Sequence, residues 1–362
     1  MKWLSGRLKH LSRLDYYVKP DDTGGGYVRL DSNENLMLNR QFALQIIVKA
    51  IKDIDLRFYP KQECEDSLYR QLKRYLGIDE SYIAAGNGSD QIIDLLLSII
   101  GPGKRVAVLT PTFSYFLNRC ELHGLKLERL PLQRENNTIC KTDFFKHAKE
   151  SEIVYICSPN NPTGNQFDKG LMMDLITNLQ DKLFLIDEAY VEFADYSLAS
   201  AATKYENIVV FRTLSKAFGL AGARVGYMVA NENLIRIFRS RIQLPYSLGT
   251  LSLRIASLAL VRSNHVRKAI EKIKRERETI FEDLSKINGI KVFKSDSNFL
   301  YLECCESYYQ NIVEHLHRAR VSVRMLGNID GRAGCLRVTV GTREMNDRFL
   351  NAIETACDHN KI

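Results

Sequence analysis

The chain has no CxxC pair among its eight cysteines, only seven histidines and one tryptophan in 362 residues. Without paired thiols or clustered imidazoles the usual zinc spacings are missing, so no structural metal is expected. Cys64, Cys120, Cys140, Cys157, Cys304, Cys305, Cys335 and Cys357 stand mostly among apolar neighbours, which suits buried free thiols in a reducing, cytoplasmic setting. No run of 18 apolar residues offers a membrane span, and the opening MKWLSGRLKHLSRLD puts charge where a signal peptide needs an apolar core. That opening reads as a weak amphipathic arm. Internal repeats and low-complexity tracts are missing too, which excludes repeat architectures.

What is present is a long globular chain. It is 45% hydrophobic and 26% charged, enough for a large core and better divided over two domains than one. The net charge of +8 suits an anionic substrate or cofactor but is spread along the sequence. Its densest patch, residues 272–277, sits beside acids in a helical pattern and reads as a solvated face, so no nucleic acid is expected.

The texture predicts an α/β protein: an arm over 1–29, a large domain over 30–247 with a mostly parallel central sheet flanked by helices, a helical connection over 248–285 with a break near residues 263 and 264, and a smaller C-terminal α+β domain over 286–362. Residues 30–55 are placed with the large domain and allowed to pack on the small one. Between residues 105 and 229, apolar strand patterns alternate with helical ones, and several strands end in polar residues. Asn161, Asp187 and Lys216 hold equivalent places there, although they lie far apart in sequence. Open α/β sheets put ligands at that edge.

The stretch FRTLSKAFGLAGARVGY over 211–227 organises the rest. A lysine between two β runs, in a loop of small residues, can join an aldehyde cofactor as a Schiff base, or it can be an ordinary solvated lysine. Transfer of an amino group needs an electron sink, a base at the α-carbon and anchors for the cofactor. Pyridoxal phosphate is the sink if a carboxylate keeps its ring nitrogen protonated; Asp187 is placed for that, while Glu188 faces away by alternation. Asn161 and Tyr190 can donate to the phenolate oxygen. Gly88-Ser89-Asp90 at a helix start, Ser215 and the fork of Arg224 can hold a phosphate, although a plain helix cap explains the first as well. Phe113 can cover the ring face or belong to the core. The polar cluster over 31–35 is either a turn or the lip of a site.

Taken together, NNPTG at 160–164, DEAY at 187–190 and TLSKAFGLAGARVGY at 213–227 resemble the fold-type I pyridoxal-phosphate aminotransferases, in the branch of the histidinol-phosphate aminotransferases. LDSNEN at 30–35, FYP at 58–60, GNGSD at 86–90, SNF at 297–299 and LRVTVGTREMND at 336–347 follow in the expected order, so the resemblance spans nearly the whole chain. It implies Lys216 as the Schiff-base lysine, Asp187 at the pyridine nitrogen, Asn161 and Tyr190 at the phenolate, and Ser89, Asp90, Thr213, Ser215 and Arg224 around the cofactor phosphate. It further implies a homodimer in which Tyr59 crosses to the other subunit's cofactor. Arg337 would hold the substrate's acidic group and Arg324 the phosphate of a small phosphorylated amine, with Asn33 also on the substrate and 2-oxoglutarate as the second substrate. Arg332, between those two, is a possible third anion contact.

The chain departs from the family pattern at Leu36, where a proline is usual, at Lys61 in place of an acid, at Phe113 in place of a tyrosine, and at Pro245-Tyr246-Ser247. The implied reaction is amino transfer between L-histidinol phosphate and 2-oxoglutarate in histidine biosynthesis. An L-threonine-O-3-phosphate decarboxylase of cobalamin synthesis and a broad aromatic-amino-acid aminotransferase are the alternatives.

Overall fold

The computed structural model describes residues 1–14, 26–52 and 54–358. Residues 23–25 of the glycine-rich stretch that closes the arm lie outside the described residues. Within the arm, Lys2–Leu11 is a helix. Among the described residues twelve strands follow: β1 Val28–Leu30, β2 Ile83–Asn87, β3 Arg105–Thr110, β4 Lys126–Pro131, β5 Ile153–Cys157, β6 Leu183–Asp187, β7 Ile208–Thr213, β8 Val225–Val229, β9 Ile290–Val292, β10 Phe299–Cys304, β11 Val321–Ile329 and β12 Arg332–Thr339.

Seven of these form one sheet in the order β2-β8-β7-β6-β5-β3-β4. Only β8 runs against its neighbours. β5, β7 and β8 are buried throughout, the continuous apolar signature of strands covered on both faces. Alternation then sends successive side chains into two cores. Val106, Val108, Tyr155 and Phe211 pack with Ile92, Ile93, Leu96 and Phe116 on one side, while Ala107, Leu109, Val154, Ile156 and Val210 join the larger core on the other. At about 25 cal/mol per Å² of apolar surface removed from water, this two-sided cover is what holds the sheet together.

The other five strands form a second sheet in the order β1-β11-β12-β10-β9. β1 pairs in parallel with β11, Leu30 opposite Val323, so the run that opens the 30–55 region is built into this sheet. The helical connection is two helices, Thr250–Val261 and Ser263–Leu284, parted at Arg262. The second buries Val266, Ala269, Ile270, Ile273, Arg277, Ile280 and Leu284, the three- and four-residue spacing of one helix face. Among the described residues no helix is long and apolar enough to cross a membrane.

Candidate active site

The seven-stranded sheet delivers three chemical groups to one edge. Cys157 and Asp187, at the ends of β5 and β6, are register partners, and Asp187 pairs in turn with Phe211, two residues short of the end of β7; the chain turns there into the 158–164 loop, the 187–190 turn and the lysine loop. β2 ends on the same edge and leads straight into the helix Gly88–Ile100. A cavity of about 420 Å³ opens over this edge and is lined by Lys216, Asp187, Tyr190, Asn161, Ser89, Asp90, Phe113, Thr213, Ser215, Arg224, Arg324 and Arg337. Residues up to 306 positions apart in the chain, Asp31 and Arg337, thus share one site.

Asp187 is buried, its Oδ2 accepting from the Tyr155 hydroxyl at 3.1 Å and its Oδ1 from the Ala189 amide at 3.0 Å. Loss of solvent outweighs these donors and raises its pKa from 3.8 to about 6. Lys216 donates to the Ser32 carbonyl at 2.8 Å. Burial, aided by the Arg337 charge, lowers its pKa from 10.5 to about 8, so a usable fraction of the neutral amine exists near pH 7.

Hydrogen bonds aim the two neutral donors. Tyr190 accepts from Asn33 Nδ2 at 3.0 Å, which leaves its own proton for the cavity. Asn161 Oδ1 accepts from Arg337 Nη1 at 2.6 Å, which leaves its amide NH₂ to donate. Arg337 Nη2 also donates to the Asp31 carbonyl at 2.8 Å. Glu188 faces away and accepts from the Ser197 hydroxyl at 2.6 Å. Behind the turn, the buried Arg212 pairs with Glu192 at 2.7 Å and approaches Glu188 at 4.0 Å.

The corner around Ser89, Ser215 and Arg224 is formed by backbone as much as by side chains. Arg224 has a left-handed φ of 52° and meets Asp90 Oδ2 at 3.1 Å; Thr213 and Ser215 hydroxyls lie 3.0 Å apart. Ser89 stands in the first turn of Gly88–Ile100, where amides have no helical acceptor. A Cβ on Gly226 would lie 2.1 Å from the Ser89 nitrogen and 2.4 Å from the Gly88 carbonyl carbon, so β8 reaches this corner only as glycine. Gly226→Ala is expected to cost about 2–3 kcal/mol by overpacking backbone on backbone, read as a lower melting temperature; an unchanged melting curve would count against the tight cradle.

Arg324 and Arg337 stand directly opposite each other across the β11–β12 ladder. Directly opposed side chains share a face, and like charges there repel unless an anion lies between them.

Three predicted residues fall elsewhere. Asn33 does not line the cavity: at 0% exposure it sits behind Tyr190, bonded also to Thr339 and Asn298. Tyr59 is 75% exposed and stacks on Tyr246, ring centroids 4.5 Å apart, outside its own chain's cavity. Arg332 is buried, its Nη1 3.0 Å from Glu303 and 2.7 Å from Asn137 Oδ1, so it is no anion contact of this cavity. The sequence assigned no site role to Tyr155, Tyr115 and Cys157, of which the last two line the cavity; Asp31, Ser32 and Glu34, from the cluster read as either a turn or the lip of a site, line it as well. A polar ring in the otherwise apolar β5 was the available signal for Tyr155.

The sheet order, the lysine loop and the donor set around it define a fold-type I transferase. The aminotransferase class I and II family model matches residues 26–353, and the chain belongs to that family. It is 33% identical over 330 residues to the histidinol-phosphate aminotransferase of Thermoanaerobacter pseudethanolicus, covering 90% of this chain and 92% of the relative. The crystal structure of a histidinol-phosphate aminotransferase from Sinorhizobium meliloti in complex with pyridoxal-5'-phosphate superposes with a TM-score of 0.86 at 23% identity, over 96% of this chain and 97% of that one. An L-threonine-O-3-phosphate decarboxylase from Porphyromonas gingivalis gives 0.79 at 21%, over 91% and 98%. Both likenesses carry the fold and leave the substrate to the chemistry of the cavity.

Proposed function

We propose that the chain is a pyridoxal-phosphate aminotransferase that moves the amino group between L-histidinol phosphate and 2-oxoglutarate. The observation that carries the substrate is the opposed pair Arg324 and Arg337 in a cavity that already has a separate anion corner at Ser89, Ser215 and Arg224. One corner suits the cofactor phosphate and the arginine pair suits a second anion on the substrate, since each guanidinium fork accepts two oxygens.

The residues fit the cofactor: a buried carboxylate, two donors with free protons, an aromatic at Phe113 and a lysine of lowered pKa line one space. When bound, pyridoxal phosphate supplies an electron sink for the pair left at the substrate α-carbon. Asp187 would hold the proton on the pyridine nitrogen. Asn161 and Tyr190 would donate to the phenolate oxygen, and Thr213, Ser215, Ser89 and Arg224 would hold the phosphate, with Asp90 steadying Arg224. Lys216 would hold the cofactor through its Nζ and, as a neutral amine, would take and return the substrate's α-proton. A homodimer suits the exposed apolar side chains Leu44, Val48, Ile51, Leu56 and Phe58, and the outward Tyr59 would then serve the partner's site. Cytoplasmic placement rests on the free cysteines.

The test is a spectral titration of the loaded enzyme with L-histidinol phosphate and no oxo acid. Conversion to the amine form of the cofactor, with imidazole-acetol phosphate in equal amount, is the expected result. No spectral change, with carbon dioxide released from phosphothreonine instead, would replace this reading with the decarboxylase.

A further inference from the structure

Arg332 has no place in the cavity, yet its side chain is as deeply buried as the core. It lies at the tip of the β11–β12 hairpin, whose turn, Asp330 and Gly331, has φ of 47° and 72°. Its Nη1 donates to Asn137 Oδ1 at 2.7 Å and to Glu303 at 3.0 Å, and its Nη2 to the Leu132 carbonyl at 3.3 Å. Beside it, Arg134 Nη2 donates to the Gly331 carbonyl at 2.8 Å. The tip of the five-stranded sheet's hairpin is thereby clamped to the segment that follows β4 in the other sheet.

That segment leads back to the cavity. The Asn137 carbonyl accepts from Asn165 at 3.0 Å, Asn165 Oδ1 from Thr163 at 2.6 Å, and Thr163 in turn from Asn160 Nδ2 at 2.8 Å. Asn160 adjoins Asn161, which accepts from Arg337 at 2.6 Å, and Arg337 lies on the same strand as Arg332. The chain of bonds closes on itself: β12 is held to one loop system at two points five residues apart. β11 needs such a hold, because its pairing with β12 shifts register twice between Met325 and Ile329, just beyond Arg324. Bulged ladders bend easily.

We propose that Arg332 and Asn137 form a strut that positions the Arg324–Arg337 pair over the cavity, making Arg332 a positioning residue for anion recognition. This rests on the reading that those two arginines take the substrate's acidic groups. Asn137 is buried at a φ of 59°, a conformation glycine adopts without strain, so Asn137→Gly cuts the strut while sparing the backbone; Arg332→Lys keeps the charge and loses the fork.

The experiment measures steady-state kinetics with L-histidinol phosphate and calorimetric binding of glutarate to the loaded enzyme, for wild type and both variants, beside melting temperature. Misplacing a binding group by about 1 Å costs up to roughly a hundredfold. KM for the phosphorylated amine is therefore expected to rise about tenfold or more, and glutarate affinity to fall likewise, with kcat within about twofold. A lower melting temperature with KM and glutarate affinity unchanged in Asn137→Gly overturns the proposal and leaves the strut purely structural. Should wild type fail to turn over L-histidinol phosphate, the functional reading falls, and glutarate binding alone decides for or against the strut.

Discussion

Replacing Lys216 by methionine is expected to abolish turnover, with about two to four orders of magnitude from loss of a proton-transfer group alone, and yet to make the unliganded protein more stable at pH 7. The first effect follows from role: among the described residues no other amine lines the cavity. The second follows from the linkage between charge and folding. The folded-state pKa is about 8 against an ordinary 10.5. Between those values the unfolded chain keeps the proton that the folded chain has released, so stability rises with pH through that window and the penalty is complete below it. The lowering corresponds to a penalty on the order of 3 kcal/mol at neutral pH. Methionine removes it, along with the single bond to the Ser32 carbonyl. Melting curves of cofactor-free wild type and Lys216→Met at pH 7 and pH 10 check this: the variant should melt higher at pH 7, and the gap should narrow at pH 10. A variant that melts lower at both would mean that Lys216 stabilises the empty site and that its lowered pKa has another origin.

Those groups were legible in the sequence for a definite reason. Asn161, Asp187 and Lys216 each lie within a few residues of the end of an apolar run, and parallel strands bring the ends of such runs to one edge whatever lies between them. The same logic does not reach the other sheet. That Arg324 faces Arg337 depends on a hairpin whose register is reset by two bulges, and no spacing rule counts a bulge that the sequence does not announce. Arg332 illustrates the limit: placed between Arg324 and Arg337 in sequence it invites the role read for them, but the inner position it takes on β12 sends it to Glu303 and Asn137. The cluster over 31–35 was ambiguous between turn and lip because its partners are remote. Its Asp31 and Ser32 carbonyls receive Arg337 and Lys216, its Asn33 aims Tyr190, and Asn35 Nδ2 ties it to the Ala217 carbonyl at 2.7 Å. β1 explains why it lies there, since pairing with β11 delivers the segment from one sheet to the mouth of the other.

Asp187→Asn is the second large effect, and it separates two roles that a loss of activity alone would merge. In the unliganded site burial raises the carboxyl from 3.8 to about 6. The folded form then holds a proton that the unfolded form has lost, so stability falls as pH rises through that window, by about 3 kcal/mol once both are ionised. Asparagine avoids this cost and keeps both local bonds: Oδ1 accepts from the Ala189 amide and Nδ2 donates to the Tyr155 hydroxyl, which can act as acceptor. The unliganded variant should therefore melt higher than wild type at pH 7 and no higher near pH 3.8. With pyridoxal phosphate the order reverses. A neutral amide cannot balance a protonated ring nitrogen, so cofactor affinity should drop and turnover fall on the order of a thousandfold. Equilibrium dialysis of the cofactor beside the melting curves resolves the two. If Asp187→Asn were more stable when empty and bound the cofactor as wild type does, the carboxylate would not be the partner of the ring nitrogen, and the electron sink would need another source of its charge.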